Sequence, residues 1–270
     1  MKQGAKYSPD ELTSDTLFDG RIMLYQPKKG YRFSVDSPLL TWFSCTDKVA
    51  QKCADLGCGC GVIGISLLVA EKVSHVIGVE VQPRMADLSM HNAIANSIQN
   101  RIDIIVGDLQ DKHAMLPSKE FDLVVSNPPF WPSTSGRLPP DEERRIARHE
   151  TLITLSGLVT KAKQLLHPKR GRFCIAFPAK RIETLFSELS DAALNVSRIT
   201  FVHPNPDAPA ELVLLEARTG RAGQLKISPP LYLKHRDNHD SQLCTEILSG
   251  AFCPALRQRD DMRMRHNAFK

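Results

Sequence analysis

Asp55-Leu56-Gly57-Cys58-Gly59-Cys60-Gly61 is the stretch that decides the fold. Residues 53–56 read as a short buried strand, and residues 61–72 as a helix of almost unbroken apolar character. Alternate glycines let the backbone turn tightly and meet a ligand with no Cβ in the way. The helix that such a loop opens presents free N–H groups that favour negative charge.

Working outward, the pattern alternates. Residues 75–81 form a second strand rich in β-branched side chains, and Pro83 opens a helix to about residue 98, since proline suits a first helical turn. Strands come next at 102–106 and 121–126, then a loop rich in Pro, Ser and Arg at 127–150. A helix at 151–166, a strand at 172–177, a helix at 181–189 and strands at 199–202 and 211–217 complete the series. Such alternation predicts an α/β fold: a seven-stranded, mostly parallel sheet with helices on both faces. The last two strands lack a helix between them, so one strand is expected to run antiparallel at the edge. Residues 1–33 read as irregular, with turns at Asp19-Gly20 and Pro27-Lys28-Lys29-Gly30, and Ser34 as the cap of a helix through Phe43. The expected organisation is an N-terminal extension over 1–33, a main domain over 34–220 and a C-terminal strand and helix extension with a basic tail over 221–270.

The chain of 270 residues, 42% apolar and 24% charged, is large enough to bury a core without staples. Its longest apolar stretch, 61–70, is too short for a membrane span, and its polar start does not resemble a secretion signal, so a cytoplasmic protein with no membrane partner is expected. Seven cysteines in no disulfide spacing fit free thiols. The formal charge of +5 permits an anionic partner, and residues 161–181 carry seven Lys and Arg with no acid, while 257–270 carry five. Either run is a solvated surface or a phosphate-contacting one. A monomer or weak dimer is the expected state.

Gly59, Gly61 and Gly64 satisfy G-x-G-x-x-G, and Glu80 lies near the distance of a ribose-binding acid, so a nicotinamide dinucleotide is one reading. Two features oppose it: the glycines begin earlier, at Gly57, straight after the acid that ends the strand, and no dehydrogenase explains the residues after strand four. S-adenosylmethionine, which has no pyrophosphate, suits the pattern better. Glu80 can accept from both ribose hydroxyls, and Asp108, after strand three, suits the adenine amino group.

After strand four comes Ser126-Asn127-Pro128-Pro129-Phe130-Trp131. Two prolines fix φ and remove two donors, which makes a stiff, acceptor-rich turn. The Asn127 side-chain oxygen and the Pro128 carbonyl can then hold both hydrogens of one amino group. That suits methylation of an aromatic amine, whose lone pair is otherwise spread into its ring. Phe130 can stack on a planar acceptor and Trp131 can extend the platform, at about 1–3 kcal/mol per stacked base.

With both motifs in order, the chain resembles the class I S-adenosylmethionine-dependent methyltransferases, which have a Rossmann-like fold. More narrowly, it looks like the bacterial tRNA(Val) adenine-N6 methyltransferase family, which modifies the adenine 3′ to the anticodon. Three further stretches carry this match: Gly20-Arg21 with Gln26-Pro27-Lys28-Lys29-Gly30-Tyr31-Arg32-Phe33-Ser34-Val35-Asp36-Ser37-Pro38-Leu39-Leu40; Arg144-Arg145-Ile146-Ala147-Arg148-His149-Glu150; and Pro230-Leu231-Tyr232-Leu233. The resemblance implies that Asp55, Gly57, Gly59 and Gly61 line the methionine end of the cofactor, with Glu80 at the ribose and Asp108 at the adenine. It implies Asn127, Pro128, Pro129 and Phe130 as the catalytic turn, with Asn127 also bordering the cofactor. Phe33 and Asp36 would close over the cofactor, and Lys28, Lys29, Arg32, Trp131 and Arg148 would meet the tRNA. Phe130 stands where many relatives have tyrosine, and Cys58 and Cys60 where other small residues are usual. The Asn-Pro-Pro-aromatic turn is shared with guanine-N2 and glutamine-N5 methyltransferases, so these acceptors remain alternatives, as does an RNA-binding module with a vestigial cofactor pocket. No metal is expected: Cys53, Cys58 and Cys60 lack the paired spacing of zinc ligands, and His235 and His239 lack the glutamate of a zinc-protease helix.

Overall fold

The computed structural model describes residues 6–30, 32–109, 116–128, 154–220 and 223–257. Its elements, in chain order, are β1 (Leu12–Leu17), β2 (Ile22–Pro27), α1 (Asp36–Ser44), β3 (Ala50–Leu56), α2 (Val62–Val69), β4 (Val73–Glu80), α3 (Pro83–Ala95), β5 (Ile102–Val106) and β6 (Leu123–Ser126). They continue with α4 (Leu155–Leu165), β7 (Arg172–Pro178), α5 (Ile182–Asp191), β8 (Asn195–His203), β9 (Leu212–Arg218), β10 (Lys226–Ile227), β11 (Leu231–Tyr232), α6 (Gln242–Leu248) and α7 (Pro254–Arg257).

The seven expected strands form one sheet in the order β8-β9-β7-β6-β3-β4-β5, and the two-residue strands β10 and β11 pair with the outer edge of β8. Pairing is parallel except that β9 runs antiparallel to both β7 and β8. The antiparallel strand therefore lies inside the sheet, not at its edge as the sequence suggested. The crossover through α5 sets β8 down one strand-width beyond β7. The short link from His203 to Leu212 can only fold back, so β9 fills that gap.

Side chains alternate between two cores, one on each face. In β6, Leu123 and Val125 face the core shared with α1, α2 and α3, while Val124 faces the core formed with α4 and α5. Phe173, Ile175 and Phe177 of β7 join the second core, whereas Cys174 and Ala176 join the first. The segments before Ser34 and after Gly220 add Phe18, Ile22, Leu24, Leu231, Ile247 and Leu256 to the first core.

Residues 12–27, expected to be irregular, instead form an antiparallel hairpin of β1 and β2. Its turn uses left-handed backbone at Phe18, Asp19 and Gly20, where the sequence did place a turn. Two buried amides, Asn92 of α3 and Asn96 at its C-cap, fix its place. Asn92 accepts from the Tyr25 N–H at 2.7 Å and donates to the Tyr25 carbonyl at 3.0 Å. One helical turn on, Asn96 does the same for Met23, at 3.0 and 2.6 Å. The pair of side chains acts as a surrogate strand along β2. Asn92 also donates to the Cys60 carbonyl at 2.9 Å, which ties the hairpin to the glycine loop.

At the amino ends of the strands, buried Glu216 gathers Arg172 at 3.1 Å, Arg198 at 3.4 Å and Arg218 at 2.7 Å. Arg172 also donates to the Ser44 carbonyl at 3.3 Å, and Arg198 donates to the Phe43 carbonyl while lying over its ring. The C-terminal carbonyls of α1 are thus clamped to the sheet. Burial alone would raise the Glu216 carboxyl, but Arg172, Arg218 and Ser197 outweigh it and hold its pKa below the ordinary value. Among the described residues, no helix is long and apolar enough to cross a membrane.

Asn92→Ala removes three hydrogen bonds of a buried amide and takes away the side-chain partner of the Tyr25 backbone groups of β2. It is expected to lower the unfolding free energy by about 2–4 kcal/mol, measured by urea denaturation. A change below about 0.5 kcal/mol would contradict the bracing role of this amide.

Candidate active site

β3 has β4 on one side and β6 on the other, and the chain visits β4 and β5 before it returns to β6. Strand order therefore reverses between β3 and β6, and the crevice at their carboxyl ends is where such sheets hold ligands. The glycine loop leaves β3 at this point, and Asn127 leaves β6 beside it. Register makes the proximity explicit: Asp55 is opposite Gly78 of β4 and Val125 of β6. The buried Ser126 hydroxyl donates to the Leu56 carbonyl at 2.7 Å, closing the two strand ends together.

Gly57, Gly59 and Gly61 all take positive φ, at 73°, 56° and 85°. A Cβ on Gly57 would meet nothing within 4 Å among the described residues, so towards them this glycine opens onto free space. A Cβ on Gly61 would stand 2.3 Å from the Ser89 hydroxyl, so that glycine allows the loop to pass α3. The loop is held by its own surroundings: the N–H groups of Gly57 and Cys58 donate to the Val79 carbonyl at 2.9 and 3.0 Å. Glu80, at the end of β4, accepts from the Gly59 N–H and the Gln82 N–H, both at 2.9 Å.

Asp55 is 1% exposed. One carboxylate oxygen accepts from the Gly64 N–H in the first turns of α2, at 3.0 Å, and the other is buried with no hydrogen-bond partner among the described residues. Burial pushes its pKa up to about 7, with the Gly64 N–H opposing the rise and the Glu80 charge adding to it. Glu80 is also raised by burial, against the backbone N–H groups that it accepts from. The thiols of Cys58 and Cys60 are pushed far up, to about 12 for Cys60, which is the behaviour of packed rather than reactive cysteines. Among the described residues, no group of three or more His, Cys, Asp or Glu is placed to hold a metal ion.

The other site residues suggested by the sequence are described only in part. Asn127 and Pro128 are described; Pro129, Phe130, Trp131 and Arg148 lie outside the described residues, as does the 144–150 stretch. Asp36 opens α1 and is raised by burial, opposed by a hydrogen bond from Ser34 and reinforced by the Glu211 charge. Half-buried Asp108 comes after β5. Phe33 is partly buried against the first core, and its N–H donates to the buried Gln26 side chain at 2.9 Å. Lys28 and Lys29 are exposed at the end of β2. Arg32 is held within the chain, donating to Asp15 at 2.9 Å, to Thr13 at 2.5 Å and to the Pro27 carbonyl at 3.1 Å.

Within the basic run at 161–181, Arg172 belongs to the Glu216 cluster and Arg170 pairs with Asp122, both at the amino ends of the strands. Lys180 and Arg181 stand beyond β7 at the same end as Asn127. Sequence reasoning missed Ser126, Asn92 and Gln26 as organisers of the site. An amide pair four apart on one helix was the available clue for Asn92 and Asn96.

Residues 36–138 match the methyltransferase small domain. A tRNA1(Val) (adenine(37)-N6)-methyltransferase of Porphyromonas gingivalis is 34% identical over 172 residues, which is 63% of this chain and 66% of that relative, just under two thirds of its length. A protein of the same description from Phocaeicola vulgatus is 29% identical over 197 residues, 72% of this chain and 80% of its own. Among solved structures, a predicted O-methyltransferase from Agrobacterium tumefaciens superposes with a TM-score of 0.63 at 19% identity, covering 80% of this chain and 96% of that one. TYW2 of Pyrococcus horikoshii, in complex with MeSAdo, superposes with a TM-score of 0.54 at 15% identity over 78% of this chain and 72% of that one. These likenesses establish the methyltransferase fold.

The folded pKa of Asp55 stands above its unfolded value of 3.8, so between about pH 4 and 7 the native state binds the extra proton. Stability is therefore lost as pH rises through that window. Asp55→Asn is expected to gain stability relative to the unsubstituted protein progressively from pH 4 to 7, with no further gain above, read by urea denaturation at each pH. A difference independent of pH would refute the raised carboxyl.

Proposed function

The chain carries a methyltransferase small domain over residues 36–138, and from that premise we propose that it methylates the exocyclic N6 amine of an adenine in tRNA, with S-adenosylmethionine as donor. The adenine 3′ to the anticodon of tRNA(Val) is the intended nucleotide. The observation that carries the proposal is Asn127, placed at the switch point beside the Gly57–Gly61 loop by the Ser126 to Leu56 hydrogen bond. The names of the relatives favour adenine over guanine N2 or glutamine N5 as acceptor.

The residues present fit the donor. Open space above Gly57 admits close backbone contact, and the unpartnered Asp55 oxygen lies at the root of the same loop. Each Glu80 oxygen accepts one N–H and keeps lone-pair capacity for a ribose hydroxyl. Asp108 is assigned to the adenine ring, and Phe33 and Asp36 to closure from the N-terminal side. When bound, S-adenosylmethionine supplies a methyl group already activated by a positive sulfur, so no strong base is required.

Asn127 Oδ1 and the Pro128 carbonyl accept the two hydrogens of the target amine. That directs its lone pair out of the ring plane and towards the donor. Alignment and exclusion of water are the main contributions of the protein. Pro129 and Phe130 are assigned to the stiffening of the turn and to stacking on the base, and Trp131 to extending that stack. A base in an anticodon loop must be swung out to reach the crevice, at a cost of a few kcal/mol. Lys28, Lys29 and Arg148 are assigned to phosphate contacts that offset this cost. Arg32 must first give up its bonds to Asp15 and Thr13 to serve in the same way.

The full chain, incubated with labelled donor and separate tRNA, DNA and protein fractions, is expected to label tRNA, with N6-methyladenosine in the digest. Label in glutamine or in N2-methylguanosine would overturn the acceptor. Asn127→Ala is expected to bind donor with unchanged affinity and to lose turnover by at least about 100-fold, since it removes an acceptor from the aligned amine. Near-normal turnover would remove Asn127 from the mechanism.

A further inference from the structure

Asn127 has a neighbour with a direct bearing on the behaviour of its amide. Its Nδ2 donates to the Ser37 hydroxyl at 3.3 Å. Ser37 lies in the first turn of α1 and is 1% exposed, so its hydroxyl is shielded from bulk water and meets the Asn127 amide inside the protein. An asparagine amide presents an acceptor on one side and a donor on the other. Turned the wrong way, Asn127 would set its own N–H against the hydrogens of the target amine, donor against donor.

We infer that Ser37 is a positioning residue: its hydroxyl engages the Asn127 Nδ2 and thereby leaves Oδ1 to accept from the target amine. The inference rests on the proposed role of Asn127. It adds a reason why that role needs α1.

The support for Ser37 is rigid at both ends of its helix. The Ser37 N–H donates to the Ser34 carbonyl at 3.2 Å, and the Thr41 hydroxyl donates to the Ser37 carbonyl at 3.0 Å. Leu39, Leu40 and Phe43 are buried in the first core. At the far end, Arg172 holds the Ser44 carbonyl. A nine-residue helix is about 13 Å long, enough to run from the amino-end arginine cluster to the catalytic end of the strands. The hydroxyl is therefore delivered to Asn127 by a clamped element. On the opposite side, Ser126 fixes the same turn to Leu56. The two serines divide the work: Ser126 sets where the turn sits, and Ser37 sets which way its amide faces.

Ser37→Ala in the full chain is expected to lower kcat on the order of 10–100-fold, while KM for tRNA and Kd for the donor stay within about twofold. Ser37→Thr, which keeps the hydroxyl, is expected to restore kcat to within about threefold. In an Asn127→Ala background, Ser37→Ala is expected to cost nothing more, because it acts through the missing amide. The Asn127 side-chain NH2 resonances, assigned by their loss in Asn127→Ala, report the contact without turnover. One proton is expected downfield in the unsubstituted protein and to return to the range of a free amide in Ser37→Ala. Should Ser37→Ala fail to fold, Ser37→Cys keeps the volume with a far weaker acceptor, and the same resonance and kcat are read.

A kcat within about twofold of normal in the alanine variant, an unchanged amide resonance, or an undiminished further loss in the double variant would each overturn the inference. Absence of methyl transfer by the unsubstituted protein to any acceptor would instead overturn the proposed function, and the amide resonance would still decide whether Ser37 orients Asn127.

Discussion

The lateral pairing of β3 with β6 is the constraint on which the rest of the site depends. These strands come from separate βα units, and they become neighbours only because the chain builds β4 and β5 outward and then returns. The helices that follow them, α2 and α4, pack on opposite faces of the sheet, and the crevice lies between the two strand ends. A slip of one residue would exchange the faces of every side chain on the strand, sending Leu123 and Val125 into the core now filled by Val124. Two apolar cores lined by different residues therefore fix the register, and the register fixes how far Asn127 stands from Gly57. The Ser126 bond to Leu56 seals the junction at its mouth.

A second constraint works at the opposite end of the sheet. Glu216 with its three arginines is a costly thing to bury, and apolar packing of equal volume would serve stability as well. The cluster adds direction: Arg172 and Arg198 reach the last carbonyls of α1, where positive charge also suits the helix dipole. With its C-terminus so anchored, α1 cannot rotate or slide without breaking charged hydrogen bonds. Its N-terminus carries Ser34, Asp36 and Ser37 to the rim of the crevice. An ion cluster at the far end of the sheet thus holds the helix that carries these three residues.

Much of this was legible in the sequence, and the illegible parts have physical causes. The seven main strands stand out because β-branched runs end at glycines, prolines or polar turns, and strand ends differed from expectation by a few residues. β8 was read as residues 199–202 but spans Asn195–His203, since its outer part is half-exposed and polar, with a faint pattern. The hairpin went unread for a stronger reason. β1, Leu-Thr-Ser-Asp-Thr-Leu, has no buried face of its own, and the pair is held by Asn92 and Asn96 from a helix far along the chain. The interior place of β9 is a fact of strand order, which local pattern does not encode. The places of the glycine loop, Glu80 and Asn127 at strand ends were legible because those patterns are local, whereas the orientation of the Asn127 amide depends on where α1 carries a hydroxyl.

The electrostatics of the crevice favour a ligand of particular charge. Asp55 and Glu80 are both buried, burial is the largest influence on each, and the Glu80 charge adds to the cost of ionising Asp55. In a polar, hydrogen-bonded core such acids would be paired, and leaving one oxygen of Asp55 unsatisfied has a cost that folding alone does not recover. A ligand bringing donors to Glu80 and positive charge to the neighbourhood of Asp55 recovers it, by favouring both ionised forms. The amino and sulfonium groups of the proposed donor have that character, whereas a dinucleotide pyrophosphate would add two negative charges beside two buried carboxylates. The charge of the loop, more than its glycine spacing, separates the two readings that the sequence motif alone left open.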